Sequence, residues 1–558
     1  MQIRTRALRL AVAVVAASVG IAVVGCAPID TASGPNALGE SNDINPQPRD
    51  AVREGGNLRL VVDEFPVNWN ALSTDGNVLD TAEIVWPLMP RSYLIDAAGR
   101  TTINHDYFTD IQLTGTAPQQ VTYTINPKAV WSDGSPITWE DIASQAHALS
   151  SADTRYLIAI NNGFDRVEKV ERGVDDRQAV ITFKQPYTDW RGQFAGNAML
   201  YPKSVTADPE SFNHALADKI TLTSGPFVVQ STDRTQGRIT LARNPKWWGD
   251  KPKLDTITYS VMDQSTYAAA LQNNELDAAR LTSIEDLATV RTNSDLVVRH
   301  APGNLWRHIT FNGAPGSILA DPKLRVAIAK GVDRQSIASA IQNGLVSNPK
   351  PLNNHIFVQG QEGYQDNSFP FDLDAAAREL DALGWKLQGD VRVKDGRKLE
   401  IRDVMYNDPT WVRVAQIIQG DLAKIGVKLN IDIKPAQGFF SDWMIPSNFD
   451  VAQFQFSGDA FPIGAIPQIY AYNPDDEQSN FGRIGSPELN TLIEQTLDEL
   501  DPQKAIALAN QVDQQVFAEG FSLPLTQDPG NYGVRSTVAN YGAPGLASYD
   551  YTKIGFVS

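Results

Sequence analysis

The rhythm of apolar and polar positions changes about halfway along the chain. In the first half, short alternating or apolar runs dominate, at residues 57–62, 120–125, 179–183, 237–242 and 256–262. Val121, Tyr123 and Ile125 fall on one face of the second run, the period-2 signature of a half-buried strand. Residues 57–62 lead into Glu64-Phe65-Pro66-Val67-Asn68-Trp69, and residues 268–276 read as a helix that stops before Asp277. From Phe311 onward, helix-period segments alternate with strands. Asp321-Pro322, Ser486-Pro487 and Asp501-Pro502 each place a capping side chain before a proline at the first helical position. Asp333 opens another helix, and Asp374 opens an Ala- and Leu-rich one that ends at Gly384. Thr410 is expected to cap a helix running to Ile425, with Gly426 as its stop. Strands at 399–405 and 427–433 flank that helix. The β-α-β succession implies a right-handed crossover and a partly parallel sheet.

A chain of 558 residues exceeds one ordinary core, so at least two lobes are expected. The change of pattern places their seam near 305–315, with the segment beyond about 523 returning to the first lobe. Hydrophobic content of 42% and charged content of 20% fit a water-exposed globular body. A net charge of -17 argues against nucleic acid, whose phosphates it would repel. Aromatic residues are numerous enough to fill cores and to floor a cleft.

The first residues read as an address. Arg4, Arg6 and Arg9 precede an apolar stretch at 10–24, the layout of a signal peptide over 1–25. Val23-Val24-Gly25-Cys26 resembles the lipobox of bacterial lipoproteins, which makes Cys26 the expected site of lipid attachment. Cys26 is the only cysteine, so no disulfide can form within the chain. Residues 27–54 lack Phe, Trp and Tyr, which makes 26–54 an expected flexible, lipidated tether. No later apolar run approaches the length of about 18 residues needed to span a bilayer.

Catalytic patterns are missing. There is no Gly-x-Ser-x-Gly, no phosphate-binding Gly-x-x-x-x-Gly-Lys and no His-Glu-x-x-His. His105, His147, His214, His300, His308 and His355 are scattered without metal-ligand spacing. Asp175-Asp176 and Asp475-Asp476 sit among polar neighbours, as solvated turns do. No catalytic residue, metal site or cofactor is therefore expected. The chemistry concentrates in Phe449 to Pro462, FDVAQFQFSGDAFP. An aromatic-rich strand over 449–456 breaks at Ser457-Gly458 and presents one carboxylate, Asp459, with no Lys or Arg in the run. A strand ending in a lone acid suits a cleft that holds a cation or an amine. A buried strand followed by a capped surface turn would read the same way.

Four further segments carry a resemblance. They are Trp131-Ser132-Asp133-Gly134-Ser135-Pro136-Ile137-Thr138-Trp139-Glu140-Asp141, then Ser224-Gly225-Pro226-Phe227, then residues 243–255 (RNPKWWGDKPKLD), and finally Phe311-Asn312 with residues 324–334 (LRVAIAKGVDR). In this order they resemble the family 5 extracellular solute-binding proteins, the oligopeptide- and dipeptide-binding class that serves ABC importers. That resemblance implies an α/β, two-lobed periplasmic-binding-protein-like fold (class II, large peptide-binding type) with mixed sheets and a hinge of crossing strands. Lobe I would comprise 55–308 and 525–558, with a subdomain at about 99–219, and lobe II would comprise 309–524. Asp459 falls where relatives pair with a peptide's α-ammonium group, and Phe456 replaces their tryptophan. Ser457, Gly458 and Phe65 complete the expected ligand contacts. The second acid of the relatives' pattern is absent, with Ala460-Phe461 in its place. The resemblance implies a monomeric, lipid-anchored receptor on the extracytoplasmic face of the cell membrane, with a peptide or other small solute and ABC permease subunits as partners. Alternatives are the same fold holding an oligosaccharide, metal chelate, haem or glutathione, a sensory or interaction protein, or a hydrolase.

Overall fold

The computed structural model describes residues 42–557 except 160, 436–437 and 475–476. The expected signal peptide, Cys26, the first part of the tether and the Asp475-Asp476 pair therefore lie outside the described residues. No helix among the described residues is long and apolar enough to cross a membrane.

The first lobe is built on strands from both ends of the chain. One sheet runs Asn57–Val62, Thr256–Val261, Arg238–Arg243, Phe227–Asp233, parallel at the first pairing and antiparallel after it. Leu58, Leu60 and Val62 point into the core, as a period-2 strand with one buried face requires. A second, antiparallel sheet of Phe108–Thr116, Gln119–Ile125, Gln178–Phe183 and Val167–Arg172 buries Val121, Tyr123 and Ile125. The motifs that carry the resemblance hold these pieces together. Asp141 Oδ2 accepts the Thr138 N–H at 2.9 Å, and Oδ1 accepts the Lys203 N–H at 2.8 Å. Ser132 N–H donates to Thr223 O at 2.7 Å, and Asn244 Nδ2 donates to Gly225 O at 2.8 Å. These turns thus satisfy backbone groups that burial would otherwise orphan.

The second lobe centres on a five-stranded mixed sheet. Its order is Lys428–Lys434, Glu400–Tyr406, Val451–Ser457, Leu305–Phe311, Ser522–Gln527. The first two pairings are parallel, and Leu305–Phe311 is antiparallel to both neighbours. The expected crossover helix is present as Pro409–Ala423, but Asp408 caps it instead of Thr410, accepting the N–H groups of Thr410 and Trp411. Asp408 precedes a proline, which biases its backbone out of the helical region into the extended conformation a cap needs. Likewise Asp372, accepting the Ala375 N–H, caps Leu373–Ala382, and Asp374 sits inside the first turn. There its charge complements the helix dipole. The expected 268–276 helix is shorter, Tyr267–Gln272, because Asn274 adopts a left-handed φ of 61°. Asp321, Asp333, Ser486 and Asp501 cap as expected.

Two passages join the lobes. Strand Leu296–His300 belongs to a small first-lobe sheet with Asn531–Arg535 and Ala278–Leu281, and the chain enters the second-lobe sheet five residues later. The return follows Ser522–Gln527, which is buried throughout. At this return Gly530 has φ +62°, and a Cβ there would lie 1.8 Å from Ala301 O. Only glycine lets the two passages run this close.

Candidate functional site

The crossing passages and the end of strand Val451–Ser457 meet at a cavity of about 150 Å³. Alternation sets what that strand presents. Phe454 and Phe456 face an aromatic cluster with Phe439, Phe440 and Phe481, and Ser457 is left at the exposed end. Asn304 then fixes the turn. Its Nδ2 donates to Ser457 Oγ at 3.1 Å and Gly458 O at 2.7 Å, and its carbonyl accepts the Gly458 N–H at 2.8 Å. Asp459 follows, with Oδ1 accepting the Phe461 N–H at 2.6 Å and its main-chain O held by Gln361 Nε2 at 2.8 Å.

Asp459 is exposed and lies on the cavity lining. Loss of bulk water raises its pKa, and the Phe461 N–H opposes the rise. No Lys or Arg forms an ion pair with it among the described residues. The carboxylate is therefore placed, oriented and uncompensated. Of the other expected contacts, Ser457 lines the cavity. Gly458 is held in the turn behind it. The Phe456 ring stacks on His308 with centroids 4.6 Å apart and planes 5° apart, and it also meets Trp306. It forms part of the wall behind the cavity surface. Phe65 lies elsewhere in the first lobe, under the Arg234 guanidinium at 4.7 Å, and is not among the cavity-lining residues.

The facing wall comes from the first lobe and was not foreseen from the sequence. It brings Glu83, Arg91, Arg280 and Asp528 to the cavity, with five tyrosines (Tyr259, Tyr532, Tyr541, Tyr549 and Tyr551). Burial pushes the Glu83 carboxyl up to about 7, against the pull of Arg280. Burial works against the Arg280 charge, but Asp528, Tyr532 and Glu83 outweigh it and raise its pKa. The only sequence hint was the run of tyrosines after 540. The charged residues lie on three distant segments without a shared pattern.

The lobes also touch outside the cavity. Arg166 pairs with Glu494, and with Asp498 at 2.7 Å. Thr188 N–H donates to Leu497 O at 2.8 Å. Gly464 N–H donates to Asp189 Oδ2 at 2.6 Å. Loss of solvent lifts the Asp189 carboxyl to about 7, and the nearby Asp459 charge adds to the rise.

Two α/β lobes joined by crossing passages and meeting over a charged cavity define a solute-binding protein of the periplasmic type. Residues 116–478 match the family described as "Bacterial extracellular solute-binding proteins, family 5 Middle". The chain belongs to that family. It is 55% identical over 529 residues to the oligopeptide-binding protein OppA of Mycobacterium tuberculosis (strain ATCC 25618 / H37Rv), covering 94% of this chain and 89% of that protein. Among solved structures, it is similar to the periplasmic EDTA-binding protein EppA (TM-score 0.84, 24% identity, 93% of this chain and 99% of that one). It is also similar to the oligopeptide-binding protein AppA of Bacillus subtilis in complex with a nonapeptide (TM-score 0.76, 18% identity, 91% and 100%). The family and these relatives are binding proteins.

Proposed function

We propose that the chain is an extracytoplasmic receptor that captures peptides in the cavity between its lobes and delivers them to the permease subunits of an ABC importer. The observation that carries this reading is Asp459, a positioned carboxylate with no cation of its own, in a cavity walled by both lobes. A peptide's α-ammonium group supplies the missing charge. Strand Val451–Ser457 supports the same reading. It pairs with Glu400–Tyr406 only through Val451 and Ala452, so the far side of 453–457 has no ladder partner among the described residues. A peptide added along that edge is read through its backbone, which tolerates varied side chains. Ser457 and Gly458 then contact the ligand main chain, and Phe456 and Phe65 are aromatic contacts reached as the lobes move.

In this reading lobe I is 55–308 with 525–558 and lobe II is 309–524. The chain is a monomer held to the membrane through a lipid on Cys26, and it catalyses no reaction. The 55% identical relative, itself named an oligopeptide-binding protein, supports peptide as the cargo. One observation favours a second reading, a polycarboxylate such as a metal chelate: Arg91 and Arg280 both line the cavity without an ion pair among the described residues. Mass spectrometry of whatever leaves the denatured, freshly purified protein separates the two. Peptide masses are expected, and a chelate or sugar in their place overturns the peptide reading.

A further inference from the structure

Residues 43–53 fall, by sequence, within the expected tether of 26–54. In the structure they lie along residues 538–556. Asp43 and Ala543 exchange main-chain hydrogen bonds at 2.8 and 3.0 Å, and Ile44 O and Asn45 O accept the N–H groups of Tyr541 and Asn540, each at 3.1 Å. Further on, Arg49 Nη1 donates to Thr552 O at 2.7 Å, and Arg53 N–H donates to Phe556 O at 2.9 Å. Val52 is buried. A linker that only spans a distance needs none of this, because water satisfies its backbone.

Asp43 joins two parts of the cavity without lining it. Its main chain holds the segment that carries Tyr541, Tyr549 and Tyr551 to the first-lobe wall. Tyr541 stacks on Tyr549 with centroids 4.6 Å apart and planes 19° apart, and the Tyr549 hydroxyl donates to Gly542 O at 2.5 Å. Its side chain reaches the crossing passage, with Oδ2 accepting the His300 N–H at 3.1 Å. His300 ends strand Leu296–His300, and the next residues, Ala301, Gly303 and Asn304, line the cavity. Asn304 in turn fixes the turn before Asp459. At the same junction Arg299, 3% exposed, donates to Tyr541 O and to Val538 O. Burial works against its charge, and Asp43 is the first charge to oppose that. The fit is close: a Cβ on Gly542 would lie 2.6 Å from Arg299 Cδ and 2.7 Å from Asp43 O.

We propose that Asp43 is a positioning residue for ligand capture: it pins the tyrosine wall to the first crossing passage, so that the segment leading from the proposed lipid anchor shares in holding the cavity around its ligand. This rests on the reading above that the cavity takes the ligand, and it holds whether that ligand is a peptide or a chelate. A ligand that orders the wall and the passage then also steadies the strap, whose bonds open less often.

The test is hydrogen exchange read by mass spectrometry on the full chain, freed of copurified ligand. The probes are a tryptic digest of casein, as the peptide source, and iron(III)-EDTA, as the chelate. The probe that protects 301–305 and 457–460 is expected to slow exchange at 43–47 and 296–300 as well, by about threefold to tenfold. Asp43→Ala is expected to weaken binding of that probe by about threefold to tenfold, the value of one net hydrogen bond, and to leave 43–47 unresponsive to it. Asp43→Asn keeps an acceptor for the His300 N–H and is expected to recover part of the loss. Asn45→Ala, which gives up the strap's 3.0 Å bond to Val538 O but nothing at the passage, is expected to cost less. Protection of the cavity segments with no change at 43–47 overturns the inference in the unaltered protein, needs no variant to fold, and leaves the cavity reading standing. Parental affinity in Asp43→Ala, or an equal loss in Asn45→Ala, overturns the assignment of Asp43 as the pin. Protection of the cavity segments by neither probe overturns the cavity reading and this inference with it.

Discussion

Asp459→Asn isolates the charge from the shape. Asparagine keeps the volume of the side chain and can still accept the Phe461 N–H through its Oδ1, the bond that orients the carboxylate at 2.6 Å. What disappears is a negative charge that nothing in the described protein neutralises. Truncating one partner of a buried, hydrogen-bonded charge pair costs about 2–5 kcal/mol. Asp459 is exposed in the empty protein, so the lower end applies, and about 2 kcal/mol weakens peptide affinity roughly 30-fold. Calorimetry with a free-ended peptide and its N-acetyl form provides the cycle. The unaltered protein should lose a similar factor on acetylation, and the variant should be indifferent to it. The pH dependence follows from the raised pKa. Pairing with ammonium needs the ionised acid, so affinity falls as pH drops through the raised pKa, earlier than for an ordinary aspartate. In the empty protein the sign reverses. A carboxyl raised on folding contributes most below its unfolded pKa and less as pH rises through its folded one. Asp459→Asn should therefore make the empty protein less sensitive to rising pH while it weakens binding. An unchanged affinity for free-ended peptide, or a variant that still discriminates against acetylation, would refute the assignment.

Two further outcomes test the frame around the cavity. Replacing Glu494 and Asp498 together by their amides removes the charges that hold Arg166 across the lobes. Both acids are about half exposed, so the loss is about 1–2 kcal/mol, and stopped-flow binding should show faster ligand release with a more open empty form by solution scattering. An unchanged release rate would deny these pairs a part in closure. Asp403 lies fully buried in the second-lobe sheet, with Oδ2 accepting from Gln453 and Oδ1 unpartnered. Burial takes its pKa to about 7, against the Gln453 hydrogen bond. Its contribution is present below about pH 4 and is lost as pH climbs towards 7, so Asp403→Asn should be more stable than the parent at pH 8, by roughly 4 kcal/mol at most. Urea unfolding at pH 5 and pH 8 should show the gain growing with pH, and the same difference at both values would contradict the burial argument.

The strand and cap pattern was legible because it is local. A proline after Asp321, Ser486 or Asp501 announces a helix start in two residues, and Val121-Tyr123-Ile125 announces a strand in five. Where two acids competed for one cap, as at Asp372 and Asp374, backbone conformation decided, and single-residue reasoning could not. Asp459 could be singled out because its turn and its lack of basic neighbours both lie within fourteen residues of sequence. The opposite wall was hidden for the converse reason. Glu83, Arg91, Arg280 and Asp528 come from segments hundreds of residues apart, each reading as an ordinary surface charge until the crossing passages bring them together. The Phe65 ring lies under the Arg234 guanidinium, a contact no local pattern encodes.

The charges of the cavity fit one kind of guest better than another. Three acids and two arginines line it. Burial pushes the Glu83 carboxyl up to about 7, and Asp528 is the first charge to favour the Arg280 cation. Asp459, Arg91 and Arg280 then line the cavity without an ion pair among the described residues, and both signs are present. A cation alone would leave Arg91 stranded, and an anion alone would leave Asp459 so. A zwitterion with separated poles satisfies both, and its gain is largest when the lobes are shut, because both charges interact more strongly as water leaves. Closure is then a population shift driven by contacts available only to a ligand that reaches both poles. Tyrosines supply much of the first-lobe wall, and the hydroxyls of Tyr259 and Tyr549 are already held by the carbonyls of Glu83 and Gly542.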